Sequence, residues 1–594
     1  MLNPNKNRLN YGNILYAPVN YKLDFAIGTT YSLDLNALIG STLSLCSSQQ
    51  TDSSLVDDQI FLLGALRNAM NKVSLFCEKG NIHYPNNPNE LYIFLEDLVF
   101  QVDNPKQKYS FHPKFWLLRF VNEKDKNDVL YRLIVLSRNL TFDRSWDVTF
   151  IMEGRKTKKK IYKNKSISEF LKYLLTYSTN DKKTEKIESI IKNDLDYVKF
   201  KLKSEIFDDF DFIVDGIDNK EYSIQNYPLF NDNSDELFIM SPFLNKNVIK
   251  GFNNRKNKNS KAILISRESS LGQLTSSDCD NFEVYTLKDE ITGAEAIVSE
   301  EFQETLNQDI HAKIYLMEKD DTCDLYLGSL NSSKYALNGN VECMIKLTAK
   351  RDNFNMDRLV EDIFNGGKDN PNCPFKLVNV DDIEGGSSEQ SKEVLDSILK
   401  KILELDFNAS VLHNDDEFDI ELNVDGYDET EFNDFNIQIK PLLGSNYKKL
   451  SYNVIFEKLP KKFLSKFFVL KIFGEKNNLK RIIKVPVSEM PDDRENAILS
   501  SIINKKNFID YVDLLLCGDN IIEYIKSGSS SGRDGFKKHN IFESPELYEK
   551  MLKTAHSSPE IIKNLDSLFE TFSDKEVIPE GFIELYNTFL KVLD

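Results

Sequence analysis

The stretch HAKIYLMEKDDTCDLYLGSLNSS, His311 to Ser333, decides the reading of this chain. A His-x-Lys pair leads into an apolar run, a polar turn follows, and a second apolar run ends in Gly-Ser-x-Asn. Alternate side chains of a strand share a face. His311 and Lys313 are therefore expected on one face, with Ala312 and Ile314 turned to the core. Neighbouring strands lie about 4.8 Å apart, so the loop holding Ser329 and Asn331 is expected to meet the His-Lys face. FHPKFWLLRF and LIVLSRNLT, within Phe111 to Thr141, repeat the pattern with His112, Lys114, Ser137 and Asn139. One such pair alone reads better as a half-exposed sheet face than as a site. Two copies 199 residues apart, each with a Ser-x-Asn loop and a downstream acid, point to an active site. Each copy offers an imidazole, an ammonium, a hydroxyl and a carboxamide. Lysine and asparagine donors suit phosphoryl oxygens, which leaves the imidazole to react.

The flanking sequence repeats too. YKLDFAIGTTYSLDLNALI (21–39) and DELFIMSPFLNKNVIKGF (235–252) each read as strand, polar turn and helix, with Ser32 and Ser241 placed as N-caps. VSLFC (73–77) and AILIS (262–266) add a short strand to each copy. Alternating strands and helices predict α/β units. We read copy 1 at 1–165, a Lys/Asn-rich helical connector at 166–229 and copy 2 at 230–365. A linker and helix (366–404) carry Gly366, Gly367, Pro371, Pro374, Gly385 and Gly386. Five β-rich runs then predict a β-sandwich-like accessory domain at 405–490. Helices are expected from 491 to 594, with N-caps at Ser544 and Ser558 and a flexible loop at 525–540.

The chain has 594 residues and a net charge of −18, of which residues 381–594 carry −13. The acidic tract Asn414 to Asp434 supplies most of that excess. The acidic β-rich region 405–487 is a candidate partner-binding or self-regulating surface, and competition with a basic groove predicts that truncation near residue 390 raises activity. Two basic runs stand against the charge. Lys158, Lys159 and Lys160 lie in one, and Arg255, Lys256 and Lys258 in the other, as candidate nucleic-acid contacts; each run is also an ordinary solvated face. Seven scattered cysteines with no C-x-x-C pair argue against a disulfide framework or thiolate zinc site and suit a reducing cytosol. Neither a signal-peptide core nor an 18-residue apolar stretch is present, so a cytoplasmic protein without a membrane span is expected.

H-x-K-x4-D followed by G-S-x-N resembles the signature of the phospholipase D, or HKD, superfamily. Copy 2 supplies His311, Lys313, Glu318 at the acid position, Gly328, Ser329 and Asn331, with Asn340 and Glu342 similar to the N-x-E of nuclease members. Copy 1 supplies His112, Lys114, Ser137 and Asn139, with Asp147 as the later acid. It departs at Arg119, which holds the acid position, and at Leu136, which replaces the glycine. The resemblance implies two tandem α/β/α sandwich domains with mixed sheets packed face to face around one site. It further implies a covalent phosphohistidine, formed by one His while the other serves as acid and then base. Asp147, Glu318 and Glu342 would support the site, no metal or cofactor would be needed, and analogy with two-copy members favours His112 as nucleophile. A DNA or RNA nuclease is favoured, similar to bacterial HKD proteins of restriction or phage defence, with a gating partner such as an NTPase or helicase conceivable. The alternatives are a lipid phosphodiesterase and a decayed nucleic-acid- or partner-binding scaffold. A paired site within one chain does not require a dimer.

Overall fold

The computed structural model describes residues 2–593 except 4–5, 8, 47–58, 105, 107, 143–144, 290–308, 384–389, 415–416, 433, 445, 475–477, 505–507, 517–544, 558 and 573–576. The expected loop at 525–540, the caps Ser544 and Ser558, and the linker glycines Gly385 and Gly386 fall outside these residues.

Copy 1 supplies β1 (Tyr21–Thr30), β2 (Val73–Glu78), β3 (Ile82–His83), β4 (Val99–Val102), β5 (Phe115–Asn122), β6 (Val129–Leu136), β7 (Ser145–Trp146) and β8 (Thr149–Lys156), and β9 (Val198–Lys201) follows. The first sheet runs β4-β2-β1-β5-β6-β8-β9. Next come β10 (Asp209–Asp215), β11 (Ser234–Met240), β12 (Lys256–Ile265), β13 (Phe282–Leu287), β14 (Asp309–Ile310), β15 (Ile314–Lys319), β16 (Thr322–Gly328), β17 (Glu342–Lys350) and β18 (Phe375–Leu377). They form a second sheet, β10-β17-β16-β15-β11-β12-β13-β18, apart from β14, which pairs with β7. The two sheets repeat one order. Three parallel strands lead, and β1 or β11 then meets the antiparallel run β5-β6-β8 or β15-β16-β17. Their inner faces share one apolar core, in which Phe25, Phe76 and Leu117 of copy 1 join Phe238, Ile263 and Leu316 of copy 2. The expected mixed-sheet α/β architecture is therefore present.

The region expected to be a helical connector contains helices Lys165–Leu175 and Asp181–Asn193, but it also supplies β9 to the first sheet and β10 to the second. Both are short edge strands, whose alternating pattern is weak beside the lysine-rich helices. Likewise β18, from the expected linker, closes the second sheet. Asp34 and Asn245, not Ser32 and Ser241, cap the helices after β1 and β11. Ser32 Oγ instead accepts from Asn81, and Ser241 Oγ from the Ser332 amide. The two serines thus tie loops together rather than start helices.

The accessory region holds β19 (Asp406–Asn414), β20 (Glu417–Asp425), β21 (Ile437–Pro441), β22 (Lys448–Lys449), β23 (Asn453–Leu459), β24 (Phe467–Phe473), β25 (Asn478–Lys484) and β26 (Val487–Ser488). Two sheets, β23-β20-β19-β26 and β22-β21-β24-β25-β3, share a core with helix Gln390–Leu403. The second sheet ends on β3, a strand of copy 1, so the accessory region adds itself to copy 1 through backbone bonds. The C-terminal helices, among them Arg494–Ile502, Phe508–Leu516 and Glu580–Leu593, pack into the outer core of copy 1. A truncation near residue 390 would expose this shared core, so it cannot isolate an inhibitory role for the acidic tract.

At this junction Glu96 is 0% exposed. It accepts from Ser465 Oγ at 2.7 Å and from Lys466 N at 2.8 Å, and pairs with Arg494 at 2.9 Å. Removing one partner of such a pair strands a buried charge, which costs about 3–5 kcal/mol. Arg494→Leu is expected to lower the stability measured by urea unfolding by that order. A loss below about 1 kcal/mol would contradict the buried pairing.

Candidate active site

Both His-x-Lys segments lie just ahead of their strands, β5 and β15, rather than within them. Each is held there by the opposite copy. The His112 amide donates to Val341 O at 2.8 Å, while the His311 and Ala312 amides donate to Trp146 O at 2.9 and 2.7 Å. Val341 immediately precedes Glu342, and Trp146 immediately precedes Asp147. This backbone stitching brings each acid to the other copy's imidazole. His112 Nδ1 lies 2.9 Å from Glu342 Oε2, and His311 Nδ1 lies 3.1 Å from Asp147 Oδ1.

Ser137 and Ser329 act on these acids. Ser137 Oγ donates to Asp147 at 2.7 Å and accepts from the Val148 amide at 2.9 Å. Ser329 Oγ donates to Glu342 and accepts from the Cys343 amide at 3.0 Å. The sequence expectation offered both hydroxyls to phosphate, whereas the structure makes them orienting groups for the carboxylates. Lys114 and Lys313 are fully buried, and their Nζ atoms donate to the carbonyls of His112 and His311 at 2.9 and 2.5 Å. The carboxamides of Asn139 and Asn331 are 9% and 7% exposed, and each has a buried oxygen without a hydrogen-bond partner. Such orphaned polar ends in a cleft call for a ligand.

Burial pushes the His112 imidazole down to about 4, with Lys114 adding to the fall and Glu342 opposing it. His311 is held well below its ordinary value by burial, then by Lys313 and Lys114. Burial and the neighbouring Lys114 also weaken the hold of Lys313 on its proton. Asp147 is pushed up by burial, against the pull of Lys313. The free site is therefore short of protons on its imidazoles and crowded with cationic groups.

Glu318 does not support this site. It lies near the far end of β15 from His311, where it accepts from the Met356 amide at 2.5 Å and pairs with Arg351. Arg119 occupies the matching place in β5 with the opposite charge, paired with Asp24 at 2.5 Å and Asp194 at 2.9 Å. The arginine is thus a structural ion pair with reversed polarity, not a damaged catalytic acid. The predicted nucleic-acid contacts also lie elsewhere. The Thr149 end of β8 joins the site, while Lys158, Lys159 and Lys160 follow its other end, about 20 Å along the strand. Lys160 pairs there with Asp196. Arg255, Lys256 and Lys258 occupy or precede the start of β12, whose Ile265 end faces the site. Arg255 stacks on Phe252, and Lys256 donates to Asp280 and Asn281 carbonyls.

Two neighbours of the site escaped the sequence reading. The Tyr31 ring stands 5.0 Å from the His112 ring, with Lys114 Nζ 5.6 Å from its centroid. Arg267 Nε donates to Ile310 O at 2.8 Å, pairs with Asp309, and places its guanidinium 4.9 Å from the ring of Phe243. Tyr31 and Phe243 follow β1 and β11, so the repeat itself was the available signal. A cavity of about 1000 Å³ reaches Asp147 and Arg138 from beside the N-terminal segment, which donates from the Leu2 amide to Asp362 of copy 2. No cluster of three or more His, Cys, Asp or Glu able to hold a metal occurs among the described residues, and none of their helices is long and apolar enough to cross a membrane.

No family model matches the sequence, and no curated protein matches it. Solved structures do. The chain is similar to yeast tyrosyl-DNA phosphodiesterase, with 13% identity over 58% of this chain and 88% of that one and a TM-score of 0.35. It is similar to phosphatidylserine synthase from Haemophilus influenzae, with 12% identity over 64% and 88% and a TM-score of 0.33. NucT from Helicobacter pylori matches 23% of this chain and 86% of its own at 18% identity, with a TM-score of 0.18. Paired sheets of one strand order carry the two His-x-Lys half-sites. Likenesses this loose carry no conclusion about substrate.

An anionic ligand between Lys114 and Lys313 must raise all three depressed groups, so its binding takes up protons. Calorimetric titration with orthovanadate near neutral pH, in buffers of different ionisation enthalpy, is expected to show net uptake of about one proton. Zero uptake or net release would contradict the electrostatics described.

Proposed function

We propose that the protein is a phosphodiesterase that cuts polynucleotides, DNA foremost, through a covalent phosphohistidine. The observation that carries this reading is the crossed pair of imidazole–carboxylate couples flanked by two buried lysines. With its Nδ1 proton held by Glu342, His112 presents a bare Nε2 to phosphorus. Burial raises the Asp147 acid and lowers the His311 imidazole beside it, and an approaching anion favours a proton on that imidazole. His112 is then the nucleophile and His311 the general acid. Attack forms the N–P bond, the P–O bond to the leaving strand breaks, and His311 protonates the departing oxygen. Neutral His311 next takes a proton from water, whose oxygen attacks phosphorus and releases His112. Lys114 and Lys313, with the Nδ2 groups of Asn139 and Asn331 as further donors, would hold the phosphoryl oxygens throughout.

Support for a nucleic-acid strand comes from the rim. Tyr31 with Lys114 on one side, and Phe243, 43% exposed, with Arg267 on the other, pair an aromatic face with a cation at each flank. Such pairs suit stacked bases on a charged backbone. A role in phage defence and a gating NTPase or helicase enter this proposal through the motif resemblance alone, and the cytoplasmic setting through the cysteine usage and apolar patterning of the sequence.

Wild-type protein in EDTA is expected to cut labelled single-stranded DNA, and His311→Ala to slow cutting by about a thousandfold or more. Cutting that survives in the variant would refute the assignment. Hydrolysis of phospholipid vesicles with no attack on DNA or RNA would instead favour a lipid phosphodiesterase. Acid-labile, base-stable label from a 32P substrate should be trapped on the wild type and lost in His112→Asn; label retained in that variant would reverse the roles of the two histidines.

A further inference from the structure

We propose that Tyr31 and Arg481 form an outer subsite on the His112 side of the cleft, which holds the nucleotide adjoining the scissile diester. Arg481 takes its phosphate and the Tyr31 ring its base. This inference rests on the polynucleotide reading above and gives the accessory region a part in substrate binding.

Backbone pairing sets the placement. Leu33, two residues after Tyr31, bridges to Ile82 in β3, and the His83 amide donates to Leu33 O at 2.8 Å. Ile82 and His83 pair in turn with Ile482 and Arg481 of β25. The loop carrying Tyr31 and the strand carrying Arg481 are therefore two strand spacings apart, about 10 Å between backbones. That separation is within reach of a tyrosine and an arginine extended toward one ligand. Arg481 acts electrostatically on the Tyr31 hydroxyl, as does Asp396 of helix Gln390–Leu403.

Arg481, like Arg255, reaches no carboxylate within 4 Å among the described residues, although Asp396 acts on it from farther away. The guanidinium groups of Arg119, Arg132, Arg267 and Arg494 all reach a carboxylate within 4 Å. Half-buried Arg481 closes no such pair among the described residues, and its one hydrogen bond runs to the Lys480 carbonyl at 3.0 Å. A partly desolvated cation with no carboxylate in direct contact, close to a candidate active site, can take an anion. The surrounding sequence agrees. Residues 440–484 hold twelve lysines and arginines against two acids, although residues 381–594 are acidic as a whole. These basic residues belong largely to β21, β22, β24 and β25, in the sheet that joins copy 1. The acidic tract belongs largely to β20 and its neighbourhood, in the other sheet. The fold thus turns the cationic half of the accessory region toward the catalytic unit.

The test compares bis-p-nitrophenyl phosphate, which ends at the reacting phosphorus, with dinucleotides and longer single-stranded oligonucleotides, all in EDTA. Arg481→Ala is expected to lower kcat/KM on the longer oligonucleotides about tenfold or more, the scale of one lost charge-assisted contact. The small ester should be unaffected, and Arg481→Lys should recover part of the loss. Unchanged oligonucleotide rates, or a parallel fall on the small ester, would overturn the subsite. If the alanine variant melts early, Arg481→Gln, which keeps much of the side chain, makes the same comparison. A wild type that hydrolyses the small ester but no polynucleotide would remove the polynucleotide reading and this inference together. Polynucleotide cutting with no length-dependent effect at Arg481 would remove the subsite alone.

Discussion

The structure depends on an exchange between its two halves. Each imidazole takes its orienting carboxylate from the other copy, and each His-x-Lys segment is fixed by a backbone carbonyl one residue before that carboxylate. Neither half-site is complete in its own domain. The shared core between the sheets therefore serves more than stability, because any relative shift of the two copies would break both couples at once. A serine at each acid bonds the same carboxylate oxygen that meets the imidazole, Oδ1 of Asp147 and Oε2 of Glu342, and so fixes where that oxygen sits.

From this constraint follows the division of charge. The lysines, histidines and asparagines that would meet a phosphodiester are buried at one end of the sheets. The position of the motif's acid lies toward the far ends of β5 and β15, where Arg119 and Glu318 close ion pairs of opposite polarity. Charge at that position is a matter of local pairing, so its reversal in copy 1 leaves the histidine end intact. The accessory region follows the same economy of edges. β25 satisfies the open side of β3, and helices from the C-terminal region cover the outer face of copy 1, so the added elements share its core.

Much of this was legible in the sequence because strands and spacing are local properties. The His-x-Lys pairs, the Ser-x-Asn loops, the downstream acids and the tandem repeat were all read from short patterns, and the structure joins the histidines, acids and serines among them through hydrogen bonds. What the sequence concealed was set by contacts between distant residues. His311 and Asp147 are 164 residues apart, and His112 and Glu342 are 230, so no spacing rule could show that the acids cross over. The edge strands β9 and β10 were hidden because four or seven residues of weak alternation sit among helices of stronger pattern. The lysine runs misled because density of charge along a chain says nothing about which end of a strand it occupies. Arg481 was passed over for the converse reason, as one cation in a half of the chain dominated by acids.

The crossed pairing is most directly tested by nuclear magnetic resonance of the imidazole protons and nitrogens, assigned with single His→Gln variants among the six histidines. Asp147→Asn should move the His311 signals and leave those of His112 in place, and Glu342→Gln should do the reverse. If Asp147→Asn shifted His112, or if each acid affected only the histidine of its own copy, the two halves would not share their site in the manner described here.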